Sequence, residues 1–267
     1  MNRIESLIEI LPYVRAFHAK TFVVKLGGEV CEAACLRNIA RQLSLLHHIG
    51  IRIVLVHGGG KQMSELLSQL GIPARMHAGR RITDEATLRA AKMLYAGALN
   101  TDVVASLEAE GVRAVGLTGA DARLIQVSRR PVQEVTNDRG ERVSLDFGFV
   151  GDVQKVNTGV LHCLLDQGMV PTISSLGIDE EGQIYNVNAD TIASRVAQAL
   201  EAHKLLFLTG VPGILARPPE TSSLISYVDV EALQALIEDG TISGGMLPKV
   251  HNCIEAVTNG VNRTHIL

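Results

Sequence analysis

The stretch IRIVLVHGGGK, residues 51–61, joins an apolar run to three glycines and then to a lysine that opens a helix-like segment. An uninterrupted apolar run is typical of a strand buried on both faces, as in parallel sheets. Glycine lets backbone N–H groups approach an anion closely, because it carries no Cβ. The stretch therefore predicts a strand, an anion-binding loop and a helix in succession.

The same order occurs earlier in the chain, where TFVVKLGG at residues 21–28 ends on two glycines. Loops after neighbouring parallel strands meet at the carboxyl edge of the sheet, where open α/β sheets bind ligands. Further strands are predicted at residues 112–117, 170–174, 205–209 and 261–267, and helices at residues 32–48, 61–70, 83–110, 190–202, 230–238 and 245–258. This alternation predicts an α/β fold, a three-layer αβα sandwich around a mostly parallel open sheet.

Residues 124–156 interrupt the alternation. They read as a hairpin, in which Asn137-Asp138-Arg139-Gly140 supplies the turn chemistry between β-favouring segments. We find no internal repeat and no linker, so we expect any two lobes to share one sheet.

Composition excludes several classes of protein. Of 267 residues, 46% are hydrophobic and 20% are charged, which excludes disorder, and a net charge of −3 without a basic run predicts no nucleic-acid partner. No apolar stretch approaches the roughly 18 residues of a membrane span, and we expect a cytoplasmic protein. The four cysteines lack zinc spacing, so no metal site is expected.

Two well-known phosphate-binding patterns do not fit the glycine loops. The Walker A pattern needs serine or threonine after its lysine, but Gln62 follows Lys61. The dinucleotide fingerprint GxGxxG is present in neither loop. The loops therefore predict anion binding of a different kind.

Six short motifs, in one order and at one approximate spacing, resemble those of the amino-acid kinase family. They are VKLGG (residues 24–28), VHGGG (56–60), GRRIT (79–83), NVNAD (186–190), LTGVPG (208–213) and GGMLPK (244–249). The resemblance covers essentially the whole chain. It implies two lobes that share one sheet, with residues 21–182 binding the acceptor and residues 183–267 binding the nucleotide.

The branch of the family that the motifs resemble phosphorylates the side-chain carboxylate of N-acetyl-L-glutamate, in arginine biosynthesis. The product is an acyl phosphate. The resemblance implies ATP with magnesium (MgATP) as co-substrate and no tightly bound cofactor. Phosphoryl transfer needs two anions held in line and the charge on the moving group neutralised, which suits a site rich in glycine N–H groups and cations.

The catalytic residues implied by the resemblance are Lys25, Lys249 and Asp190. One lysine from each lobe would neutralise the negative charge of the transferring group, and a carboxylate between them would offset their mutual repulsion. Asp190 is alternatively a helix cap, since a helix is predicted to begin there.

The resemblance also implies two sets of binding residues. The arginine among them suits a bidentate hold on a carboxylate. The acceptor-binding set is Gly58, Gly59, Arg81 and Asn186, and the nucleotide-binding set is Gly27, Gly28, Thr209, Gly210, Gly213 and Gly245.

Three features depart from the family's pattern. Gly210 stands where the family commonly has aspartate, and Arg80 stands where we expect an apolar residue. The sequence also ends at Leu267, before a segment with which most relatives close the nucleotide-binding lobe. The added charge of Arg80 leaves open an acceptor with another carboxylate.

Two other functions therefore stay open. One is a related kinase that acts on N-succinylglutamate or on a carrier-linked aminoadipate. The other is the arginine-sensing, kinase-like domain of an N-acetylglutamate synthase, which LPYVRAF (residues 11–17) and KTFV (20–23) also resemble. The presence of both lysines and Asp190 argues against a lost activity.

The N-terminal residues 1–20 predict a kinked helix that catalysis does not need. Ile4, Leu7, Ile8 and Leu11 recur at helical spacing and form an apolar stripe, and Pro12 predicts a bend or a break. Such a helix resembles the one through which arginine-inhibited family members assemble. The resemblance implies a homo-oligomer, a dimer or a hexamer built through these helices, with arginine as its candidate feedback inhibitor.

Overall fold

The computed structural model describes residues 3–77, 80–136 and 141–267, with the side chains of residues 3–8 and 10 left out. The turn predicted at residues 137–140, the glycine that opens the GRRIT motif, and the side chains of Ile4, Leu7 and Ile8 lie outside the described residues.

Strands and helices alternate through most of the chain. The strands are β1 (Thr21–Leu26), β2 (Arg52–His57), β3 (Met76–His77), β4 (Arg80–Arg81), β5 (Ala114–Leu117), β6 (Ile125–Arg129), β7 (Gln133–Thr136), β8 (Arg142–Leu145), β9 (Gly151–Val156), β10 (Val170–Ser174), β11 (Leu176–Ile178), β12 (Ile184–Asn186), β13 (Lys204–Leu208) and β14 (Arg263–Ile266). The helices are α1 (Arg3–Phe17), α2 (Ala33–His48), α3 (Gly60–Gln69), α4 (Glu85–Ala91), α5 (Asn100–Glu108), α6 (Gly159–Asp166), α7 (Ala189–Ala199), α8 (Val230–Glu238) and α9 (Met246–Thr258).

Six parallel strands form the main sheet, in the order β14-β13-β1-β2-β10-β5. Alternate residues of β2 pack into two different apolar clusters. Val54 and Val56 belong to one cluster, and Ile53 and Leu55 belong to the other. Successive side chains of a strand point to opposite faces, so both faces of the sheet are buried. The predicted α/β class, with helices on both faces of a mostly parallel sheet, is confirmed.

The main sheet takes strands from both predicted lobes. Strands β1, β2, β5 and β10 fall within residues 21–182, whereas β13 and β14 fall within residues 183–267. The assignment of the acceptor and the nucleotide to these two ranges stays a prediction.

The excursion at residues 124–156 is more elaborate than one hairpin. Its outer segments, β6 and β9, pair antiparallel and belong to a second sheet of order β12-β11-β6-β9, while β7 and β8 pair as a separate hairpin. The sequence did not predict β11 and β12, because each has three residues and β11 contains Gly177.

The helix predicted at residues 83–110 is interrupted in its middle. Asp84 caps its start by accepting a 2.9 Å hydrogen bond from the backbone N–H of Thr87. Between α4 and α5, residues Lys92–Leu99 form π-helix. Segments of π-helix occur frequently at functional sites.

Helix α1 runs through Pro12 as one element, so the chain does not break there as the sequence suggested it could. Its last residue, Phe17, packs edge-on against Phe22 of β1, with ring centroids 5.6 Å apart. No helix in the described part of the chain combines the length and the apolar composition needed to cross a membrane.

Candidate active site

The carboxyl ends of β1, β2 and β13 meet at one edge of the main sheet. The N–H of Gly27 donates to the carbonyl of Leu208, at 3.0 Å, and the N–H of Gly58 donates to the carbonyl of Leu26, at 3.2 Å. The loops that follow the three strands are therefore neighbours, at the edge where the sequence predicted a ligand site.

Lys25, Asp190 and Lys249 form a chain of charges at this edge. Nζ of Lys25, near the end of β1, lies 2.8 Å from Oδ1 of Asp190 in the first turn of α7. Nζ of Lys249, in the first turns of α9, lies 2.9 Å from Oδ2 of the same carboxylate. The three side chains are between 11% and 14% exposed, so water screens these charges poorly.

The carboxyl group of Asp190 stays ionised between the two lysines. Burial alone would raise its pKa, but the positive charges of Lys25 and Lys249 outweigh burial and hold the pKa below its usual range. Lys249 also stands over the ring of Phe207, with Nζ 5.3 Å from the centroid. The arrangement fixes two ammonium groups beside one carboxylate, and their combined charge favours an anion.

Asp190 is not the residue that caps helix α7. The side-chain oxygen of Asn188 accepts from the backbone N–H of Asp190, at 2.8 Å, and from that of Thr191, at 3.0 Å. Asn188 thus satisfies the helix start, which leaves the Asp190 carboxylate to the lysines.

The two glycine loops lie against each other. A Cβ added to Gly28 would stand 3.3 Å from the backbone nitrogen of Gly60 and 3.4 Å from that of Lys61. The Gln62 side chain joins the loops, since Nε2 donates a 2.6 Å hydrogen bond to the carbonyl of Gly28. From the sequence, Gln62 served only to exclude the Walker A pattern. Its predicted position in the first turn of a helix, directly after the glycines, could have indicated a contact with the loop.

The loop after β2 is enclosed on two sides. A Cβ on Gly58 would stand 3.4 Å from Cβ of Ala189, at the start of α7. A Cβ on Gly59 would overlap Leu99 and would stand 3.1 Å from Cε1 of Tyr95. Glycine is therefore required at Gly59 by close packing against the π-helical segment.

Arg81 faces the start of α3. Its Nη2 donates to the carbonyl of Gly60, at 3.2 Å, and to the hydroxyl of Ser64, at 2.8 Å. Its Nη1 is buried and has no hydrogen-bond partner among the described residues. One arm of the guanidinium is thus fixed by the protein, and the other has no partner there.

Asn186 connects to Arg81 through Thr83. The side-chain amide of Asn186 donates to Oγ1 of Thr83, at 3.1 Å, and this hydroxyl donates to the carbonyl of Arg81, at 3.4 Å. Thr83 is fully buried. The acceptor-binding residues implied by the resemblance therefore lie along a continuous path beside the glycine loops.

The loop after β13 holds three of the residues assigned to the nucleotide. The N–H of Thr209 donates to the carbonyl of Leu267, at 2.7 Å, and Gly213 has a φ of +133° that only glycine adopts readily. A Cβ on Gly210 would overlap the carboxylate of Glu29. Gly245 has open space around it, directly before the helix that carries Lys249.

His57, the last residue of β2, is fully buried. Burial lowers its pKa to about 4, so the imidazole is neutral near pH 7. Nδ1 lies 3.2 Å from the carbonyl of Gly58, whereas Nε2 has no partner among the described residues. Ser175 donates a 2.6 Å hydrogen bond to the His57 carbonyl and secures the end of the strand.

Within the described residues, no group of three or more His, Cys, Asp or Glu side chains is placed to hold a metal ion. The cations described at this edge are the ammonium groups of Lys25 and Lys249, which suit binding and neutralising an anion.

Comparison with known proteins gives three findings. Residues 20–267 match the model of the amino acid kinase family. The chain is 44% identical to an acetylglutamate kinase of Heliobacterium modesticaldum, over 98% of this chain and 88% of that kinase. It is 40% identical to an acetylglutamate kinase of Methanosphaera stadtmanae, over the same shares.

A solved structure resembles the whole chain. It is an N-acetylglutamate synthase from Neisseria gonorrhoeae, complexed with coenzyme A and N-acetyl-glutamate. The TM-score is 0.84, the identity is 27%, and the match covers 100% of this chain. The chain spans 58% of the length of that synthase.

Proposed function

Since this chain belongs to the amino acid kinase family, we propose that it phosphorylates the side-chain carboxylate of N-acetyl-L-glutamate with ATP. MgATP is the co-substrate, and the metal arrives with the nucleotide. A carboxylate oxygen of the acceptor attacks the terminal phosphorus of ATP, the bond to the bridging oxygen breaks, and ADP leaves. The products are an acyl phosphate and ADP.

The observation that carries this proposal is the pair of lysines on one buried carboxylate. A phosphoryl group in transfer spreads negative charge over its oxygens, and fixed cations stabilise that charge without reorganising. Lys25 and Lys249 come from different ends of the chain, and Asp190 holds both at one place. We assign these three residues to catalysis.

We carry the binding residues over from the resemblance, and their positions beside the glycine loops support them. We assign Arg81 and Asn186, with the N–H groups of Gly58 and Gly59, to the acceptor. The nucleotide is assigned to the residues around the ends of β1, β13 and the start of α9, namely Gly27, Gly28, Thr209, Gly210, Gly213 and Gly245. Backbone N–H groups of glycine loops and the starts of α3 and α9 would face its phosphates.

Sequence identity supports a kinase over the regulatory domain of a synthase. The chain is 44% and 40% identical to two acetylglutamate kinases, but 27% identical to the synthase. The gonococcal synthase was also solved with coenzyme A and L-arginine, at 25% identity to this chain. We therefore keep arginine as the candidate inhibitor, and a homo-oligomer as the candidate assembly.

Trapping the product tests the proposal. Incubation with MgATP, N-acetylglutamate and hydroxylamine should give a hydroxamate, since hydroxylamine attacks acyl phosphates. Parallel reactions contain N-succinylglutamate or no acceptor. A hydroxamate yield with N-acetylglutamate that does not exceed the blank would exclude the proposed reaction, and a larger yield with N-succinylglutamate would reassign the acceptor.

A further inference from the structure

Tyr95 lies against the glycine loop of the candidate acceptor site. Its ring is buried, and Cε1 stands 3.1 Å from the place where Gly59 would carry a Cβ. Leu99, four residues further along the π-helical segment, reaches the same glycine. The unusual helix therefore presents a phenol ring directly to the loop that we assign to the acceptor.

The hydroxyl of Tyr95 is a donor without a partner. It makes no hydrogen bond with another described residue, and the ring that carries it is buried. Burial raises the pKa of Tyr95 to about 12, and the nearby Arg81 guanidinium opposes that rise only in part. The hydroxyl thus stays protonated near neutral pH and lies within electrostatic range of Arg81.

Arg81 supplies a second donor without a partner. Its Nη2 is engaged by Gly60 and Ser64, while the buried Nη1 has no acceptor among the described residues. Buried donors are nearly always paired in folded proteins, so the unmet Nη1 of Arg81 points to an acceptor from outside the chain, to which the nearby Tyr95 hydroxyl can donate as well. A carboxylate fits both, because it accepts several hydrogen bonds and carries the charge that Arg81 requires.

We propose that Tyr95 binds the acceptor, its hydroxyl donating to the same α-carboxylate that Arg81 holds. The inference deepens the proposed function and rests on it. Tyr95 and Arg81 together select an acceptor with a charged α-carboxylate, while the side-chain carboxylate points toward the two lysines. A neutral group in that position leaves both donors unmet, which is how a polar site rejects the wrong substrate.

The variant Tyr95→Phe removes only the hydroxyl. Because a hydrogen bond to a charged group contributes substantially to binding, its loss should raise the KM for N-acetylglutamate roughly 10- to 100-fold. The KM for ATP should stay unchanged. Tyr227→Phe is the matched control, because Tyr227 is 79% exposed. Thermal unfolding of both variants checks whether either change disturbs the fold, and we expect wild-type midpoints.

A truncated acceptor separates binding from a structural effect. The compound 4-acetamidobutyrate keeps the acetamido group and the reacting carboxylate but lacks the α-carboxylate. Tyr95→Phe should leave kcat/KM for this compound at the wild-type value. An equal loss with both acceptors, or no loss with N-acetylglutamate, overturns the proposal.

Calorimetry makes the inference independent of turnover. N-acetylglutamate is titrated into wild-type protein and into Tyr95→Phe, and the variant should bind roughly 10- to 100-fold more weakly. Wild-type protein that binds N-acetylglutamate without forming a hydroxamate would overturn the proposed reaction, while the two titrations would still decide the role of Tyr95. Wild-type protein that binds no N-acetylglutamate overturns both.

Discussion

The amide of Gln62 donates a 2.6 Å hydrogen bond to the carbonyl of Gly28, and so joins the loop after β2 to the loop after β1. The other side-chain atom, Oε1, is buried and stands 3.1 Å from the place where Gly28 would carry a Cβ. One side chain thus fixes the spacing between two loops that we assign to different substrates. Reacting groups must be held in line for phosphoryl transfer, so this spacing bears on the rate.

Replacing Gln62 by Met keeps the length of the side chain and removes the hydrogen bond. A typical hydrogen bond contributes about 1 kcal/mol to stability, so the free energy of unfolding should fall by about that amount. We expect kcat to fall as well, because the two loops lose the contact that fixes their spacing. Gln69→Met, at the exposed end of the same helix, is the control. Equal kcat values for the two variants would show that the loops keep their spacing without Gln62.

Lys249 and Arg81 should affect different kinetic constants. Lys249→Ala removes a charge that matters mainly in the transition state, and kcat should fall roughly 10²- to 10³-fold with little change in the acceptor KM. Arg81→Lys replaces a bidentate guanidinium by a point charge, so the acceptor KM should rise more than kcat falls. Steady-state kinetics of both, with the exposed Lys155→Ala as control, check the assignment. The reverse pattern would show that the two roles are exchanged.

Asp190→Asn removes the charge that holds both lysines. Breaking a buried ion pair on one side costs about 3 kcal/mol or more, because the remaining ammonium groups then face each other without a counter-charge. Asp166→Asn is the control, since Asp166 pairs with Arg52 at an exposed position and should cost about 1 kcal/mol or less. Urea unfolding measures both. Similar losses of unfolding free energy in the two variants would show that the buried ion pairs of Asp190 stabilise the fold no more than the exposed pair does.

Burial of His57 should make the stability of the fold depend on pH. Its pKa of about 4 lies below the ordinary value of 6.5, so between these values the unfolded chain binds a proton that the folded chain excludes. The free energy of unfolding therefore falls as the pH drops through this range. Between roughly pH 7.5 and pH 5 the loss from His57 alone is about 2 kcal/mol.

The variant His57→Gln should flatten that dependence. Unfolding free energies are measured across the range for wild type, His57→Gln and the exposed His162→Gln. We expect a smaller slope only for His57→Gln, whatever its absolute stability. Parallel curves for all three proteins would contradict a neutral, buried imidazole.

Local patterns were enough to predict the main sheet. Strand β1 was predicted with the bounds Thr21–Leu26 that the structure has, and β10 likewise, because strands buried on both faces are short runs rich in apolar and β-branched residues. Strand β11 could not be predicted in this way. It has three residues with Gly177 at its centre, and only its pairing with β6 and β12 makes it a strand.

Local patterns placed only part of the candidate site. Lys25 lies at the end of a predicted strand, whereas the roles given to Asp190 and Lys249 came from the resemblance, because their motifs open helices. Tyr95 was missed because a helical hydrophobic pattern does not distinguish π-helix from α-helix, and its contact with Gly59 joins residues far apart in the chain. Glu29 was missed for a similar reason, since only the fold brings it against Gly210.

The last prediction concerns helix α1, which lies ahead of the sheet. Phe17 anchors its end against Phe22, but Leu11 is 49% exposed and Tyr13 is 65% exposed, so these apolar side chains have little cover within the chain. Exposed apolar surface of this kind is typical of an interface. We expect an oligomer larger than a dimer that dissociates to dimers when residues 1–18 are deleted, with catalysis largely retained.

Point variants make that prediction independent of the deletion. Leu11→Glu combined with Tyr13→Glu places charges on the exposed part of α1 without touching Phe17, and should dissociate the oligomer as the deletion does. Arg15→Glu, also exposed on α1, changes charge without removing apolar surface and is the control. Sedimentation velocity gives the masses. If intact, deleted and doubly substituted proteins sediment with the same number of subunits, the helix is not an assembly element, and its apolar residues must be covered in some other way.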